Sequence, residues 1–342
     1  MKNMLFLYNT YPLIHKKPRK HYLCVRKTVC SIMNKKENLQ HFTVERIRQI
    51  AETFTKGNEM QVSFSPDITV VLHGRPASLD KHSLQKGVPY RIEQHRIGFF
   101  VGGTGNACLN LQDVHLKSKT AIFASDGSTL QINDYSPDAE IIMLSVSEEF
   151  LNRSLGISRP EILRQGCFGC NFPLTESEFD IAHEAFSLLY TLLREDASFR
   201  PASENIVAAI FRLFDALYTR QLALSEKVSK PENRAQHVFD HFIQLLREFG
   251  VREHDLRFYS DRLCLTPRYL GTLILQASGH TAKYWIDRAI ITEAKLLLQH
   301  TDLTVVQVSD RLHFPNSSFF CKYFKRLTGY TPKAYQSISH TV

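Results

Sequence analysis

Long apolar runs, clustered cysteines and low-complexity tracts are absent from this chain of 342 residues. No stretch approaches about 18 consecutive apolar residues, so a transmembrane helix is excluded. The seven cysteines are too sparse, and odd in number, for a disulfide-dense scaffold, and the composition excludes a collagen-like chain. With 43% hydrophobic and 22% charged residues, the sequence is that of a globular protein of about two or three domains.

Acidic residues are missing from the beginning of the chain, where residues 1–32 carry seven Lys or Arg and no Asp or Glu. Residues 33–235 carry 22 basic and 25 acidic residues, and residues 236–342 carry 13 basic and 9 acidic residues. The net charge of +8 therefore comes largely from a short N-terminal stretch. The smaller basic excess of residues 236–342 matters more for function, because a basic domain attracts polyanions.

The N-terminal stretch shows few signs of structure. Its apolar run at residues 4–8 is too short for the core of a signal peptide, which leaves residues 1–32 as a basic extension. We interpret Met33 as the natural start, since apolar residues at helical spacing predict an amphipathic helix within residues 33–57. Without an export signal, we expect a cytoplasmic protein with reduced thiols and no membrane partner.

Short apolar runs separated by Gly, Asn, Asp and Pro occupy residues 58–150, which predicts antiparallel strands in a barrel or a sandwich. The period then changes within residues 151–223, where Thr175-Glu-Ser-Glu178 is a capping box at the start of the first of two amphipathic helices. The apolar faces of these helices can pack together or dimerise. Residues 224–236 are polar and form the predicted linker.

An internal repeat marks the last part of the chain. Ser260-Asp-Arg-Leu263 recurs as Ser309-Asp-Arg-Leu312, and Gly279-x-Thr281-x-Lys283-x-Trp285 recurs as Gly329-x-Thr331-x-Lys333-x-Tyr335. The first block is displaced by 49 positions and the second by 50, so the second copy has one residue inserted between its two blocks. Such self-similarity indicates a duplicated supersecondary unit.

Each copy has the pattern of a short helix, a tight turn and a second helix. Thr266, followed by Pro267, begins the second helix of copy one, and Asn316 begins that of copy two. The glycine of each repeat block ends this helix, and Leu327 is expected on the buried face of the second copy. The pattern predicts two helix-turn-helix units held by one long helix, able to enter major-groove segments about 34 Å apart. A plain helical bundle with a duplicated hairpin is the alternative.

Residues 237–342 resemble the DNA-binding domain of the AraC/XylS family of bacterial transcription regulators. The resemblance rests on these motifs: Phe258-Tyr-Ser-Asp-Arg-Leu263, Leu265-Thr-Pro-Arg-Tyr-Leu270, Ser278-Gly279, Trp285-Ile286, Glu293-Ala-Lys-x-Leu-Leu298, Phe314 to Phe320, Tyr323-Phe-Lys-Arg326 and Thr328-Gly-Tyr-Thr-Pro332. Residues 58–223 are similar, more loosely, to the cupin-like effector and dimerisation domain of that family. The resemblance implies an α+β multidomain protein, with an N-terminal cupin-like β-barrel and helical pair and a C-terminal all-α double helix-turn-helix domain.

Ten candidate DNA-binding residues lie on the two second helices: Arg268, Gly271, Thr272, Gln276, Asn316, Ser317, Cys321, Lys322, Lys325 and Arg326. By resemblance, the first three occupy positions where relatives contact base edges. Arg268 can bond guanine or a phosphate, and Thr272 can contact a thymine methyl. Leu275 stands where a polar or basic residue is more usual, so copy one is expected to read less sequence. Lys325 and Arg326 are expected phosphate contacts.

No catalytic or metal-binding pattern accompanies these residues. Cys167-Phe-Gly-Cys170 lacks the second pair of ligands that a structural zinc site needs, and its surroundings are unlike a redox motif. The histidines of residues 58–150 lack the H-x-H spacing that metal-binding cupins show. We therefore expect no catalytic residue, no metal and no cofactor.

The sequence and the resemblance together indicate a transcription regulator and not an enzyme. Its expected partners are double-stranded promoter DNA, a small-molecule effector of unspecified identity, RNA polymerase and a second copy in a homodimer. In our hypothesis the effector shifts how the barrel and its helices restrain the DNA-binding domain. Two alternatives stay open: a cupin-like enzyme fused to a DNA-binding module, and a constitutive DNA-binding protein whose barrel serves assembly.

Overall fold

The computed structural model describes residues 61–65, 67–75, 85–156, 158–163, 169–228 and 233–338. The predicted basic extension, the start at Met33 and the helix at residues 33–57 lie outside these residues. Within the part of the chain that is described, every helix is too short or too polar to cross a membrane.

The N-terminal half is built from two antiparallel sheets. Its strands are β1 Gln61–Phe64, β2 Ile68–Gly74, β3 Pro89–Arg91, β4 His95–Gly102, β5 Thr104–Leu109, β6 Gln112–Lys117, β7 Thr120–Ala124, β8 Thr129–Tyr135, β9 Glu140–Val146 and β10 Gly169–Pro173. One sheet has the order β1-β2-β9-β4-β7-β10 and the other β3-β8-β5-β6. The prediction of antiparallel strands is confirmed.

A closed barrel is not formed by the described strands, which corrects the barrel prediction. The two sheets share no hydrogen-bonded strand pair among these residues. Apolar side chains from both sheets meet instead in one cluster, which includes Phe100 of β4 and Ala107 and Leu109 of β5. The sheets are therefore joined by side-chain packing, which is the arrangement of a sandwich.

The side chains of strand β4 are packed on both faces of the larger sheet. Ile97 and Phe99 pack with the helices on the outer face of the larger sheet, whereas Arg96 and Phe100 line the space between the sheets. This division follows from the period of two along a strand. Gly98 also lies on the inner face, where a Cβ atom would come within 2.2 Å of the Ile142 carbonyl oxygen.

Three helices cover the outer face of the larger sheet: α1 Glu148–Leu155, α2 Glu176–Leu192 and α3 Arg200–Val228. The predicted capping box begins α2, with the Thr175 side chain accepting from the Glu178 N–H and Glu178 returning a bond to Thr175. Phe186 of α2 contacts Phe99 of β4 and Phe214 of α3, at ring-centroid distances of 5.4 and 6.2 Å. The apolar faces of α2 and α3 thus pack within the chain.

The C-terminal half is all helical, as predicted. Its helices are α4 Asn233–Phe249, α5 Leu256–Arg262, α6 Pro267–Ser278, α7 Ala282–His300, α8 Val305–Arg311, α9 Ser317–Thr328 and α10 Pro332–Ile338. Because α3 continues to Val228, it enters the predicted linker at 224–236, and residues 229–232 of that linker lie outside the described residues. The domain boundaries stay predictions.

The long helix α7 contacts the smaller sheet with the face that it turns away from the other C-terminal helices. Arg288 bonds the Asp113 carboxylate (Nη1 to Oδ2, 3.0 Å) and lies 3.2 Å from the Cys108 sulfur. Glu293 pairs with Arg91 of β3 at 2.6 Å. The two halves are therefore held together by charged contacts with α7.

Leu111, at the tip of the β5–β6 hairpin, adds an apolar contact between the halves. Its side chain is buried in the same cluster as the C-terminal helices. Its backbone has a φ of 73°, which is a left-handed conformation. A residue such as Leu adopts this conformation at a cost of about 1–2 kcal/mol. The hairpin tip is thus held in a strained conformation against the helical half.

Phe186→Ala is predicted to destabilise the N-terminal half by about 3–5 kcal/mol, because it removes a fully buried ring between a sheet and two helices. Leu222→Ala, at a side chain that is 45% exposed on α3, is the matched control and should cost far less. Urea unfolding followed by circular dichroism measures both. Equal losses for the two variants would contradict this account of the packing.

Candidate nucleic-acid interface

The first helix-turn-helix unit consists of α5, a tight turn and α6. Leu265 donates its N–H to the Ser260 carbonyl oxygen at 2.9 Å, which closes the turn. Cys264 occupies a left-handed conformation with a φ of 53°. Thr266 then caps α6 by accepting from the Tyr269 N–H, and Pro267 takes the first turn of the helix. Thr266 and Pro267 therefore stand where the sequence predicted them.

The second unit, made of α8, a turn and α9, repeats these bonds. Phe314 donates to the Ser309 carbonyl oxygen at 3.0 Å, and His313 has a φ of 55°. Asn316 caps α9 by accepting from the Phe319 N–H at 2.8 Å. The extra residue of the second copy is Pro315, which follows the turn of the second unit. The predicted duplication thus extends to individual hydrogen bonds.

Both second helices end in the same way. Gly279 and Gly329 have φ values of 71° and 81°, so each supplies the left-handed residue that ends a helix. Just before them, the Ser278 hydroxyl donates to the Ile274 carbonyl oxygen at 2.7 Å, and the Thr328 hydroxyl donates to that of Phe324 at 2.8 Å.

Helix α7 fixes the orientation of both units. The Trp285 indole N–H donates to the Ser278 hydroxyl at 2.9 Å, which ties the end of α6 to α7. On the other unit, the Tyr323 hydroxyl donates to Asp287 at 2.6 Å. Burial and this bond to the carboxylate raise the pKa of Tyr323, so its hydroxyl remains a donor at neutral pH. The two units are thus attached to one rigid element.

The buried faces of α6 and α9 define which residues face outward. Leu270, Leu273 and Ile274 of α6, with Phe320 and Phe324 of α9, are buried. The candidate residues lie on the opposite sides: Arg268, Thr272, Gln276, Asn316, Lys322, Lys325 and Arg326 are exposed, and Gly271, Ser317 and Cys321 are half-buried.

Leu327 was predicted to be buried, and it is 41% exposed. Its counterpart 50 positions earlier is Ala277, which is itself only half-buried. This position lies at the edge of the core, so the larger leucine side chain extends into solvent. The prediction of an inward Leu327 was wrong.

The repeat also identifies outward residues that the sequence analysis missed. With the offset of 50, Ser318 is equivalent to Arg268 and Phe319 is equivalent to Tyr269. All four side chains are exposed. Phe319 and Tyr269 are 54% and 40% exposed, which is unusual for aromatic residues. Comparing the two helices position by position would have found these residues in the sequence.

The outward faces of α6 and α9 differ in charge. In α6, Arg268 is the basic residue among the outward positions, and the counterparts of Lys322 and Lys325 are Thr272 and Leu275. The Thr272 hydroxyl donates to the Arg268 carbonyl oxygen at 3.1 Å, which leaves its methyl as the outward group. Helix α9 therefore offers the stronger attraction for phosphate, and α6 the more apolar surface.

A cavity of about 120 Å³ lies between the two sheets of the N-terminal half. Ala107 and Leu109 of β5 line it, while Cys108 between them faces Arg288 of α7. One strand thus forms a wall of the cavity and a contact with the C-terminal half.

Of the two cysteines in the motif Cys167-Phe-Gly-Cys170, Cys167 lies outside the described residues. Cys170 lies on β10, is half-buried and is not part of a disulfide. Across the residues that the structure covers, no three His, Cys, Asp or Glu side chains are arranged to hold a metal ion.

Comparison with known proteins places residues 259–338 in a family described as a helix-turn-helix domain. The Arabinose operon regulatory protein of Escherichia coli K12 is 28% identical over 130 residues, covering 38% of this chain and 44% of that protein. Regulatory protein PocR of Salmonella typhimurium is 28% identical over 108 residues, covering 32% of this chain and 33% of that protein. This chain thus matches less than half the length of each relative.

Among solved structures, ToxT from Vibrio cholerae with an unsaturated fatty acid bound aligns with 82% of this chain and 95% of its own. The sequence identity is 12% and the TM-score is 0.35.

Gly271→Ala is predicted to stabilise the C-terminal half by about 0.5–1 kcal/mol, because glycine inside a helix is unfavourable. A Cβ atom at Gly271 would have no neighbour within 4 Å. Gly279→Ala is the matched control, since its Cβ also meets open space but its φ is 71°. It should destabilise by about 1 kcal/mol. Denaturant midpoints measure both changes, and a shift of the same sign in both variants would contradict the helix assignment.

Proposed function

We propose that this chain, whose C-terminal residues form an AraC-type helix-turn-helix domain as the sequence predicted, is a DNA-binding transcription regulator controlled by a small molecule. The observation that carries the proposal is the pair of helices α6 and α9, which are built alike and are both tied to α7 by hydrogen bonds, α6 through Trp285 and α9 through Tyr323. Each helix keeps an exposed face opposite its buried one. Such paired helices suit neighbouring major-groove segments.

The two helices make different kinds of contact with DNA. Lys322, Lys325 and Arg326 of α9 supply most of the positive charge, so α9 contributes phosphate contacts that position the domain. Arg268 and Thr272 of α6 contact base edges, with guanine and thymine methyl groups as the matching partners. Gly271, Gln276, Ser317 and Cys321 complete the contact surface. Asn316, which caps α9, extends this contact surface to the beginning of that helix.

The effector binds in the cavity between the sheets, and strand β5 transmits its presence. Ala107 and Leu109 face the cavity, and Cys108 between them contacts Arg288 of α7. A ligand can bind more tightly when β5 is in one position than when it is in another. Because β5 contacts α7, this difference in affinity shifts the population of α7 orientations. The same shift changes how α6 and α9 meet DNA.

RNA polymerase is the further partner in this proposal, and the protein acts in the cytoplasm. A homodimer would use the outer face of α2, where Ile181 and Leu188 lie two helical turns apart and are 51% and 47% exposed. The alternative of a cupin-like enzyme fused to a DNA-binding module would be favoured by turnover of a substrate in the cavity.

Lys322→Ala and Lys325→Ala are predicted to weaken operator binding and to lower the salt dependence. Each lost phosphate contact should reduce the slope of log affinity against log salt by about 1. Fluorescence anisotropy on an operator duplex at several salt concentrations measures the slope. Arg212→Ala, at an exposed site on α3, is the charge-matched control and should leave the slope unchanged.

Arg268→Ala should instead lose discrimination among operator variants, because base contacts and not only phosphate contacts disappear. Unchanged affinity in both the Arg268 and the Lys322 variants would contradict the proposed interface.

Leu111→Gly is predicted to uncouple the two halves of the chain. Glycine adopts the φ of 73° without strain, while the side chain buried among the C-terminal helices is lost. Scanning calorimetry of the full chain should then show the two halves melting in separate transitions. Lys119→Gly relieves the same kind of backbone strain, at a φ of 62° beside Glu176 of α2, and should leave the halves coupled. An unchanged melting profile for Leu111→Gly would refute the role of the hairpin tip.

A further inference from the structure

A series of contacts runs from the β5–β6 hairpin to the end of α6, and Arg288 of α7 lies at its centre. Its Nη1 atom donates to the Asp113 carboxylate at 3.0 Å and to the Tyr284 hydroxyl at 2.6 Å. Its Nη2 atom contacts the Cys108 sulfur at 3.2 Å. Burial raises the pKa of that thiol, so Asp113 is the charged partner of Arg288. One guanidinium thus joins the smaller sheet to the first turn of α7.

Tyr284 continues this connection by stacking on the residue that follows α6. Its ring lies nearly parallel to that of His280, with ring centroids 4.2 Å apart and an angle of 17° between the planes. The His280 backbone N–H donates to the Ser278 hydroxyl at 3.3 Å, and the Trp285 indole donates to the same hydroxyl at 2.9 Å. Two neighbouring side chains of α7 therefore hold the last residue of α6.

The second unit has the same cap but a different residue at the position of Tyr284. Tyr330, the counterpart of His280, donates its N–H to the Thr328 hydroxyl at 3.2 Å. The counterpart of Tyr284 is Ala334, which has neither a ring to stack nor a hydroxyl to accept a hydrogen bond. Within the described part of the chain, the path through a stacked tyrosine therefore leads from the hairpin to α6.

We propose that Arg288 is a positioning residue for α6, which it holds through Tyr284, and that the N-terminal half acts on the first unit by this path. The inference rests on the DNA-binding function proposed above and assigns part of its regulation. A movement of α7 as a whole would reach both units, whereas a change in the contact between Asp113 and Arg288 acts on the end of α6.

The length of α6 makes its end an effective place for such control. Because a helix rises about 1.5 Å per residue, Arg268 lies about 15 Å from Ser278 along α6. A tilt about the Ser278 end therefore displaces the first turn most, and this turn carries the residue that is proposed to contact base edges.

Hydrogen exchange on the full chain tests the positioning without DNA. Tyr284→Phe removes the hydroxyl that Arg288 bonds and keeps the stacked ring, and Asp113→Asn removes the charge on the sheet side. Amide exchange at residues 278–281 should become roughly tenfold faster in both variants, as expected when one hydrogen bond to a charged group is lost. Residues 328–331 should exchange as before, because the other contacts between α7 and the sheet remain.

Tyr190→Phe and Glu293→Gln are the matched controls. Tyr190 of α2 accepts a hydrogen bond from Arg194 at 3.3 Å, which is the same pairing of tyrosine and arginine four positions apart. Glu293→Gln removes the pair with Arg91, another contact between α7 and the smaller sheet. Neither control should change exchange at the end of α6 more than at the end of α9. Circular dichroism melting checks that every variant folds, and Tyr284→Phe alone decides if Asp113→Asn does not.

Operator binding by anisotropy then shows whether the positioning affects recognition. Base substitutions are compared in the two segments of a selected operator, and the α6 segment is the one where Arg268→Ala removes discrimination. Tyr284→Phe and Asp113→Asn should each reduce discrimination several-fold in that segment and leave the other segment unchanged. Because both changes act through Arg288, the double variant should lose no more than either single variant.

Unchanged exchange in both variants, equal changes at the ends of α6 and α9, or additive losses in the double variant would overturn the inference. So would a similar loss of discrimination in both operator segments. The two measurements also separate this inference from the proposed function. A chain that binds no duplex contradicts the regulator proposal, while the exchange data still decide whether Arg288 positions α6.

Discussion

Helix α7, Ala282–His300, is packed on two faces at once, and the rest of the arrangement depends on this constraint. One face lies in the core shared by both helix-turn-helix units, through residues that include Trp285 and Ile286. The other face meets the smaller sheet, where the His300 ring nitrogen lies 2.8 Å from the Pro89 carbonyl oxygen. Because helix α7 is a single rigid element, the sheets cannot change their contact with it without affecting both units.

The contacts on the sheet side are of a kind that can be rearranged. They combine charged pairs, which are partly exposed and individually weak, with the His300–Pro89 hydrogen bond, the contact between the Tyr90 and His300 rings and the Leu111 side chain on its strained backbone. The contacts on the other side are a continuous apolar core of aromatic and aliphatic residues. The packing is therefore easier to change at the sheet face of α7 than within the double helix-turn-helix unit.

The sequence was sufficient where the signal is local or repeated. The caps at Thr266 and Asn316 and the ends at Gly279 and Gly329 follow from residue chemistry within one or two turns. The duplication and these caps together predicted both helix-turn-helix units. Ser318 was missed because each helix was considered alone, and Leu327 because helical period says nothing about where a core ends.

Long-range features could not be predicted in this way. Asp113 and Arg288 meet although 175 positions separate them, and no local pattern links a hairpin tip to a helix of the other half. The position of Arg96 between the two sheets could not be predicted either, because the register of β4 decides which face of the sheet this residue occupies. The choice between two open sheets and a closed barrel depends on strand pairing across the whole N-terminal half.

In the proposed complex, α6 and α9 bind the same duplex in neighbouring major-groove segments. Hydroxyl-radical footprinting of the full chain, on an operator selected from random DNA, tests this most directly. Two protected tracts are expected on one face of the duplex, with centres about 10 base pairs apart. A single protected tract, or two tracts on opposite faces of the duplex, would contradict it.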